Sequence, residues 1–152
     1  MTDTIPSAPA RASRRATTDR RLALAIAVVA AIGTALAAYL TYVHYAGIKP
    51  ICSTGGCETV QTSQYAKLAG IPVAVLGLVS YVVILASLRL PGYGRLFVSW
   101  TVAVIGFAFS LYLTYREVFT IKAICPWCVG SAGLLTILAV LTTVRLWKAD
   151  AP

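Results

Sequence analysis

The sequence predicts an all-α integral membrane protein, a four-transmembrane-helix bundle with both termini cytoplasmic. Apolar residues make up 59% of the 152 residues and charged residues only 12%, against roughly 25% in an average soluble domain. The charges are gathered between four long apolar runs, and the basic ones are divided unevenly between the two ends of those runs. This composition excludes a disordered tail protein. The net charge of +8 does not indicate a nucleic-acid-binding face, because the basic residues are scattered between apolar runs.

Four apolar runs define the predicted spans, each 20–22 residues long: 22–43, 68–88, 96–115 and 125–144. At about 1.5 Å per residue, each would cross a hydrocarbon core of roughly 30 Å as a helix. Residues 1–21 are rich in Thr, Ser, Ala, Pro and Arg, which predicts a disordered basic cytoplasmic tail. The helical domain is expected over 22–148, with a short tail at 149–152, and the loops are too small to hold a soluble catalytic domain.

The orientation follows from the basic residues. With the N-terminus inside, the inner side carries nine Lys and Arg residues and the outer side four. The inner set is Arg11, Arg14, Arg15, Arg20, Arg21, Arg89, Arg95, Arg145 and Lys148; the outer set is Lys49, Lys67, Arg116 and Lys122. The positive-inside rule therefore predicts loops 44–67 and 116–124 outside the cell. A cleaved signal peptide over 22–43 is the alternative, although its apolar run exceeds the usual h-region of about 7–15 residues.

All four cysteines fall on the predicted outer side, as CSTGGC (Cys52 and Cys57) and CPWC (Cys125 and Cys128). That compartment permits disulfides, whereas the cytosol keeps thiols reduced. A weak internal repeat accompanies them, because residues 39–52 and 112–125 agree at eight of fourteen positions without a gap. The repeat predicts two helical hairpins, each of which delivers a cysteine to a similar depth.

The CPWC segment has the spacing of a redox pair. Two cysteines three residues apart share one face of a helical turn, where they can close or open a disulfide. Pro126 favours the first helical position, which makes Cys125 the predicted N-cap of the fourth span. The unpaired amides and the positive dipole end would stabilise a thiolate there. The alternative is an inert staple, which would constrain little chain entropy across so short a loop.

The CSTGGC segment allows more than one interpretation. Gly55 and Gly56 make a flexible turn, so the pair could form a small ring open to a foreign thiol, or a simple loop clasp. A four-cysteine zinc site is a further alternative. The oxidising exterior and the position of Cys128 at the edge of the apolar phase argue against zinc, and no metal is predicted.

The order of these features resembles the vitamin K epoxide reductase family, in its bacterial branch without a fused thioredoxin-like domain. An outer cysteine pair follows the first span, Ser63 lies six residues beyond Cys57, and CPWC opens the fourth span. The run GIPVAVLGLVSY at 70–81 matches as well. The DsbB family, which does similar work with four helices, has the CxxC pair in its first outer loop instead.

The resemblance implies a membrane thiol–disulfide oxidoreductase that moves electrons from secreted or periplasmic protein thiols to a quinone (menaquinone or ubiquinone), supporting disulfide bond formation. Cys52 and Cys57 would be the shuttle pair, and Cys125 and Cys128 the pair beside the quinone. Ser63 would donate a hydrogen bond to the quinone carbonyl. The thiol partner would be a separate DsbA-like or thioredoxin-like extracytoplasmic protein. The expected location is the inner (plasma) membrane, and the four-residue gap between the loop cysteines is shorter than the family pattern.

Other polar and aromatic residues lie near these cysteines. Trp127 is expected to line an apolar quinone slot because it lies between the two CPWC cysteines. His44, Glu58 and Glu117 are expected to be solvated groups at the outer rim, and the alternative is that they move a proton to quinol. Two other functions stay open: a quinone or vitamin K epoxide reductase fed by a thioredoxin-like donor, and a non-enzymatic membrane scaffold whose disulfides staple the loops.

Overall fold

A computed structural model describes residues 8–52 and 55–150 of the protein. Within them five α-helices follow one another: α1 (Ala8–Ala46), α2 (Cys57–Thr62), α3 (Val73–Ser87), α4 (Gly94–Arg116) and α5 (Pro126–Asp150). A 3₁₀ turn at Gln64–Ala66 and an antiparallel hairpin of β1 (Lys67–Leu68) and β2 (Ile71–Pro72) separate α2 from α3. A π-helical turn at Glu117–Ile121 continues α4.

The helices identify a multi-pass membrane protein. In the described part of the chain, three helices are long and apolar enough to cross a bilayer: Ser13–Ala46, Gly94–Ile121 and Pro126–Asp150. These coincide with the first, third and fourth predicted spans. Helix α3 is apolar but has only 15 residues, a length of about 22 Å. The predicted second span, 68–88, is therefore wrong in its first five residues.

The chain forms a hairpin at the start of that predicted span because of its turn residues. Ala69 and Gly70 both have positive φ, 51° and 85°. Two consecutive residues in this region make the tight turn that suits a two-residue hairpin loop. Leu68 then pairs with Ile71, and Lys67 pairs with Pro72. Since proline has no N–H to donate, Pro72 ends the hairpin and α3 begins at Val73.

Helix α1 begins earlier than the sequence predicts. The expected disordered tail is helical from Ala8 onward, while residues 1–7 lie outside the described part. Alanine and arginine, which recur through this segment, are among the best helix formers. Asp19 also anchors the helix, because its carboxylate lies 2.7 Å from Arg145 of α5 and 3.2 Å from Arg95 of α4. At the other terminus, α5 continues through Asp150, so part of the predicted 149–152 tail is helical too.

Four helices, α1, α3, α4 and α5, form the bundle. Helix α1 packs against α3 and α5, and α4 packs against the same two helices. Tyr81 of α3 is fully buried at the centre, and its hydroxyl donates a hydrogen bond of 3.1 Å to the carbonyl of Ser131. Gly33 of α1 lies against the Tyr81 ring, and a Cβ at that position would overlap it. The small residue on α1 thus makes room for the ring that joins three helices.

Candidate redox site

The outer cysteine pair forms a disulfide. Cys52 and Cys57 are bonded, with their Cα atoms 6.0 Å apart. Cys57 is the first residue of α2 and is fully buried, whereas Cys52, in the preceding loop, is half-buried. Only the Cys52 sulfur of this pair is therefore open to a thiol arriving from outside.

The CPWC cysteines are free thiols. Pro126 is the first residue of α5, as its sequence position predicts, and Cys125 directly precedes the helix. The pKa of the buried Cys125 thiol lies below its usual value because the Cys128 side chain donates a hydrogen bond to it. The backbone N–H groups of Cys128 and Trp127 act in the same direction, against the opposing effect of burial. Cys125 is thus the residue of this pair that favours the thiolate.

The two pairs meet in one buried cluster. Cys57 and Cys125, both fully buried, pack together with Val60, and Cys52 and Cys128 lie at the edge of this cluster. The contact depends on a glycine, because a Cβ at Gly56 would overlap the backbone of Ile124, next to Cys125. The fold therefore brings the four cysteines together from loops that are about 70 residues apart in sequence.

Trp127 holds the cysteine loop in place. Its indole N–H donates a hydrogen bond of 2.7 Å to the carbonyl of Ile51, next to Cys52. Its ring lies 5.2 Å from that of Tyr39, whose hydroxyl accepts a hydrogen bond from the Ile51 N–H. Trp127 is not among the described residues that line the cavities beside Cys128. The indole thus contacts the loop that carries Cys52, and a place for Trp127 beside a quinone stays a prediction.

Glu117 is buried beneath the CPWC cysteines, with 4% of its surface exposed. Its carboxylate accepts a hydrogen bond of 3.3 Å from the Cys125 N–H and is within hydrogen-bond reach of the Cys128 thiol. The expectation of a solvated rim carboxylate is wrong for this residue. The π-helical turn that starts at Glu117 folds its side chain inward, and the turn closes at Lys122, which has a positive φ of 55°. Glu58 is exposed as expected and pairs with Lys49 at 2.9 Å.

Two adjoining cavities open beside Cys128, with volumes of about 70 and 130 Å³. They share five lining residues: Leu40, Val73, Leu113, Glu117 and Cys128. The smaller cavity faces the loop after α2, and the larger one continues between the four long helices. An apolar cavity of about 150 Å³ can hold a benzene ring. Only the two cavities taken together exceed that size, so a six-membered ring beside Cys128 would occupy both of them.

A family model described as the vitamin K epoxide reductase family matches residues 24–143, a range that includes all four cysteines. The chain belongs to the vitamin K epoxide reductase family. This match confirms the resemblance drawn from the cysteine order, and membership in the family makes the protein a membrane oxidoreductase. The match begins within α1 and ends within α5. It therefore covers all of α3 and α4, the larger part of α1 and α5, and the two cavities beside Cys128.

Besides Glu117 and Tyr65, the polar side chains of this vitamin K epoxide reductase family member that line the smaller cavity are Ser63, Gln61 and His44. Ser63 lies beside the cavity as the resemblance implies, but its hydroxyl already donates a hydrogen bond of 2.7 Å to the carbonyl of Val60. The amide nitrogen of Gln61 is buried, and no hydrogen-bond partner for it lies among the described residues. Sequence reasoning missed Gln61, because a single polar residue in a loop carries no pattern that marks it.

The described residues hold no group of three or more His, Cys, Asp or Glu side chains suited to a metal ion. Two of the four sulfurs are joined to each other, and the other two lie beside an apolar cavity. This arrangement differs from a closed structural zinc site, in which four ligands surround one ion.

Proposed function

We propose that this family member is a thiol–disulfide oxidoreductase that passes electron pairs from extracytoplasmic protein thiols to a membrane quinone. One observation carries the proposal. A bonded cysteine pair with one accessible sulfur and a free pair beside an apolar cavity belong to the same buried cluster. Such an arrangement suits a two-step relay, in which one pair meets a protein partner and the other meets an apolar electron acceptor.

The relay begins at Cys52. A partner thiolate attacks the Cys52 sulfur, because Cys57 is fully buried, and the Cys57 thiolate leaves. Cys57 then attacks Cys125 of an oxidised Cys125–Cys128 pair and releases Cys128 as a thiolate. Each step exchanges one S–S bond for another through a mixed disulfide, so no electrons are lost on the way.

The outer disulfide is restored in the second half of the relay. The second thiol of the partner attacks the partner–Cys52 bond and frees Cys52, and the partner leaves as a disulfide. Cys52 attacks Cys57 and releases Cys125 as a thiolate. The result is a bonded Cys52–Cys57 pair and a reduced Cys125–Cys128 pair, which is the redox state of the structure.

The cavity residues fit a quinone. The walls are mostly apolar, and the unpartnered Gln61 amide is a donor suited to a carbonyl oxygen, with Ser63 nearby. A quinone bound there would supply the acceptor for two electrons and two protons. Formation of the Cys125–Cys128 bond releases the electron pair, and Glu117, within hydrogen-bond reach of the Cys128 thiol, takes its proton. His44, which also lines the cavity, is a second group able to move a proton.

The location and partner of this proposal come from the charge distribution and the family. The cysteine loops lie on the extracytoplasmic side of the plasma membrane, with both termini in the cytoplasm, as the excess of basic residues on the other side indicates. The partner is a DsbA-like or thioredoxin-like protein that presents a dithiol. Menaquinone and ubiquinone both have the carbonyl groups and apolar tail that such a cavity accepts.

The proposal is tested with purified protein, a reduced thioredoxin-like partner and a quinone, by following quinol absorbance. Wild-type protein should form quinol. Cys128→Ala should abolish quinol formation and still give an adduct at Cys52 with a partner that keeps only its attacking cysteine, whereas Cys57→Ala has no outer disulfide to attack and should give no adduct. Cys52→Ala is the matched control, which should form no adduct. Quinol formation that persists in Cys128→Ala would overturn the assignment of the inner pair.

The same assay addresses the two alternatives. A vitamin K epoxide reductase would also take its electrons from the thioredoxin-like donor, and it would turn over vitamin K epoxide when the epoxide replaces the quinone in the assay. A stapled scaffold would keep Cys125 and Cys128 oxidised in intact cells, as thiol trapping would show. The free state of both thiols favours the relay over the scaffold.

A further inference from the structure

A third cavity, larger than the two beside Cys128, lies at the end of the bundle away from the cysteines. It has a volume of about 570 Å³ and is lined by α1, α4 and α5. Five basic side chains line it: Arg14, Arg15, Arg95, Arg145 and Lys148. Cavities of roughly 300–1,000 Å³ are the size of small-molecule sites. The size and composition of this cavity are those of a site for an anion.

The acidic charge among the lining residues is too small to neutralise the basic charge. Asp19 is the one carboxylate there, and it bridges Arg145 of α5 at 2.7 Å and Arg95 of α4 at 3.2 Å. Arg14, Arg95, Arg145 and Lys148 alone already outnumber this single carboxylate, so the cavity wall has an excess of basic charge. The ion pairs account for the position of Asp19 but not for the concentration of basic side chains.

Two buried guanidinium N–H groups in this cavity have no hydrogen-bond partner in the described residues. They are Arg145 Nη1 and Arg95 Nε. Only 2% of the Arg145 side chain is exposed, so water does not satisfy it freely. Buried donors of this kind normally have a partner, and a rotation of either guanidinium toward the cavity would present its fork to the oxygens of a phosphate group.

The depth of the cavity matches the phosphate level of a bilayer. Arg145 is 20 residues beyond Cys125, and α5 is continuous between them, which corresponds to about 30 Å along the helix axis. That distance equals the thickness of the hydrocarbon core. Leu22 and Leu96 line the same cavity, so it also has apolar surface. A lipid could thus place its headgroup among the basic residues with its chains beside apolar side chains.

We propose that this cavity is a binding site for a phosphate-bearing anionic group, supplied by the headgroup of an anionic phospholipid. Basic pockets between transmembrane helices are known to hold such headgroups. The site does not depend on the redox proposal. Asp19, Arg145 and Lys148 also lie outside the residues matched by the family model, so family membership alone does not imply it.

The test compares two double variants of the full chain with the same charge change. Arg14→Gln/Lys148→Gln removes two basic groups that line the cavity and leaves the ion pairs of Asp19 with Arg95 and Arg145 in place. Arg20→Gln/Arg21→Gln removes two basic groups of the same end that do not line it. Both leave Arg145 and Asp19 intact, which protects the fold.

The probes are phosphatidylglycerol, phosphatidylcholine and inorganic phosphate, each added to detergent-purified protein. Retained lipid is measured by native mass spectrometry, and the unfolding temperature is measured in parallel. Since each basic group near a lipid surface contributes about 1 kcal/mol, a factor of about five, the cavity variant should bind phosphatidylglycerol about 25-fold more weakly. The control variant should bind it like the wild type.

Each outcome decides the proposal. Selective retention of phosphatidylglycerol that is lost only in the cavity variant supports it. Stabilisation by inorganic phosphate that follows the same variant pattern supports the anion site and assigns a soluble source instead of a lipid. Equal retention of phosphatidylglycerol and phosphatidylcholine, or equal losses in both double variants, would overturn it.

Discussion

The indole N–H of Trp127 and the carbonyl oxygen of Ile51 lie 2.7 Å apart, and this hydrogen bond joins the CPWC segment to the loop that carries Cys52. The contact links the two cysteine pairs without involving a sulfur atom. In the proposed relay this contact makes Trp127 a positioning residue, which aligns the outer disulfide with the CPWC pair.

Replacement of Trp127 by Phe removes this hydrogen bond and keeps an aromatic ring beside Tyr39. A hydrogen bond of about 1 kcal/mol corresponds to a factor of about five, so we expect quinol formation to slow about fivefold. The KM for quinone should not change, because Trp127 does not line the described part of the cavities. Trp100→Phe is the control, since its indole bonds Thr143 on the helices away from the cysteines. A raised KM in Trp127→Phe would contradict the positioning role.

Gly56→Ala introduces a Cβ that overlaps the Ile124 backbone, so the two cysteine loops must separate. In a Cys52→Ala/Cys128→Ala background, Cys57 and Cys125 are the two cysteines left. With oxidised glutathione added as the two-electron oxidant, we expect their disulfide to form at least about tenfold more slowly once Gly56 is replaced, since a misplaced reacting atom is costly in rate. Non-reducing mass spectrometry measures the bond. Gly133→Ala, which has open space around its Cβ position, should leave its formation unchanged.

The unpartnered amide of Gln61 and the engaged hydroxyl of Ser63 predict unequal effects on quinone binding. Gln61→Leu removes a donor that is free to bond a carbonyl, and we expect the KM for quinone to rise about fivefold. Ser63→Ala should raise it less, because its hydroxyl already bonds Val60. Gln64→Leu is the matched control, as Gln64 is exposed and does not line the cavity. A larger effect from Ser63→Ala would reverse the assignment.

Glu117→Gln keeps an oxygen that can accept the Cys125 N–H but removes the group that takes a proton. Acid–base groups typically contribute at least about a hundredfold in rate, so we expect a loss of that order in quinol formation. The pH–rate profile should also lose one limb. Glu58→Gln should have almost no effect, because its ion pair with Lys49 is exposed to solvent. An unchanged pH profile in Glu117→Gln would contradict the role of Glu117 as proton acceptor and leave it a structural one.

The lowered pKa of Cys125 can be followed by the ultraviolet absorbance of its thiolate. In a Cys52→Ala/Cys57→Ala background, Cys128→Ser keeps a hydroxyl donor beside Cys125 and Cys128→Ala does not. Since the Cys128 hydrogen bond is the main cause of the lowered pKa, the Cys128→Ala variant should need a higher pH to form its thiolate than Cys128→Ser. Identical titrations would assign the effect to the helix N-terminus alone.

Most of the helical architecture could be predicted from charge-free apolar runs, because the bilayer imposes a length that a sequence displays directly. The start of α3 could not be predicted in this way. Ala69 and Gly70 form a turn inside an apolar run, and no polar residue marks the turn in the sequence. The helical start of α1 depends on Asp19 meeting two arginines that are distant in sequence. Long-range contacts of this kind leave no local pattern.

The residues of the candidate site also fall into those that the sequence predicts and those that it does not. The four cysteines and Ser63 could be identified from spacing and order, because those features are linear. Glu117 could not be identified as buried, since a π-helical turn decides its direction. Trp127 lies between two redox cysteines in sequence, yet its side chain turns toward the loop that carries Cys52.

The shortness of α3 leaves a hydrophobic mismatch on one flank of the protein. A helix of 15 residues falls several ångströms short of the acyl region, and the bilayer must thin there unless another element makes up the difference. The β1–β2 hairpin adjoins this end of α3, and its Leu68 and Ile71 are exposed. A two-stranded hairpin keeps unpaired backbone groups along both edges, which the acyl region does not tolerate. We therefore expect the bilayer to thin beside α3, with its headgroups level with the hairpin.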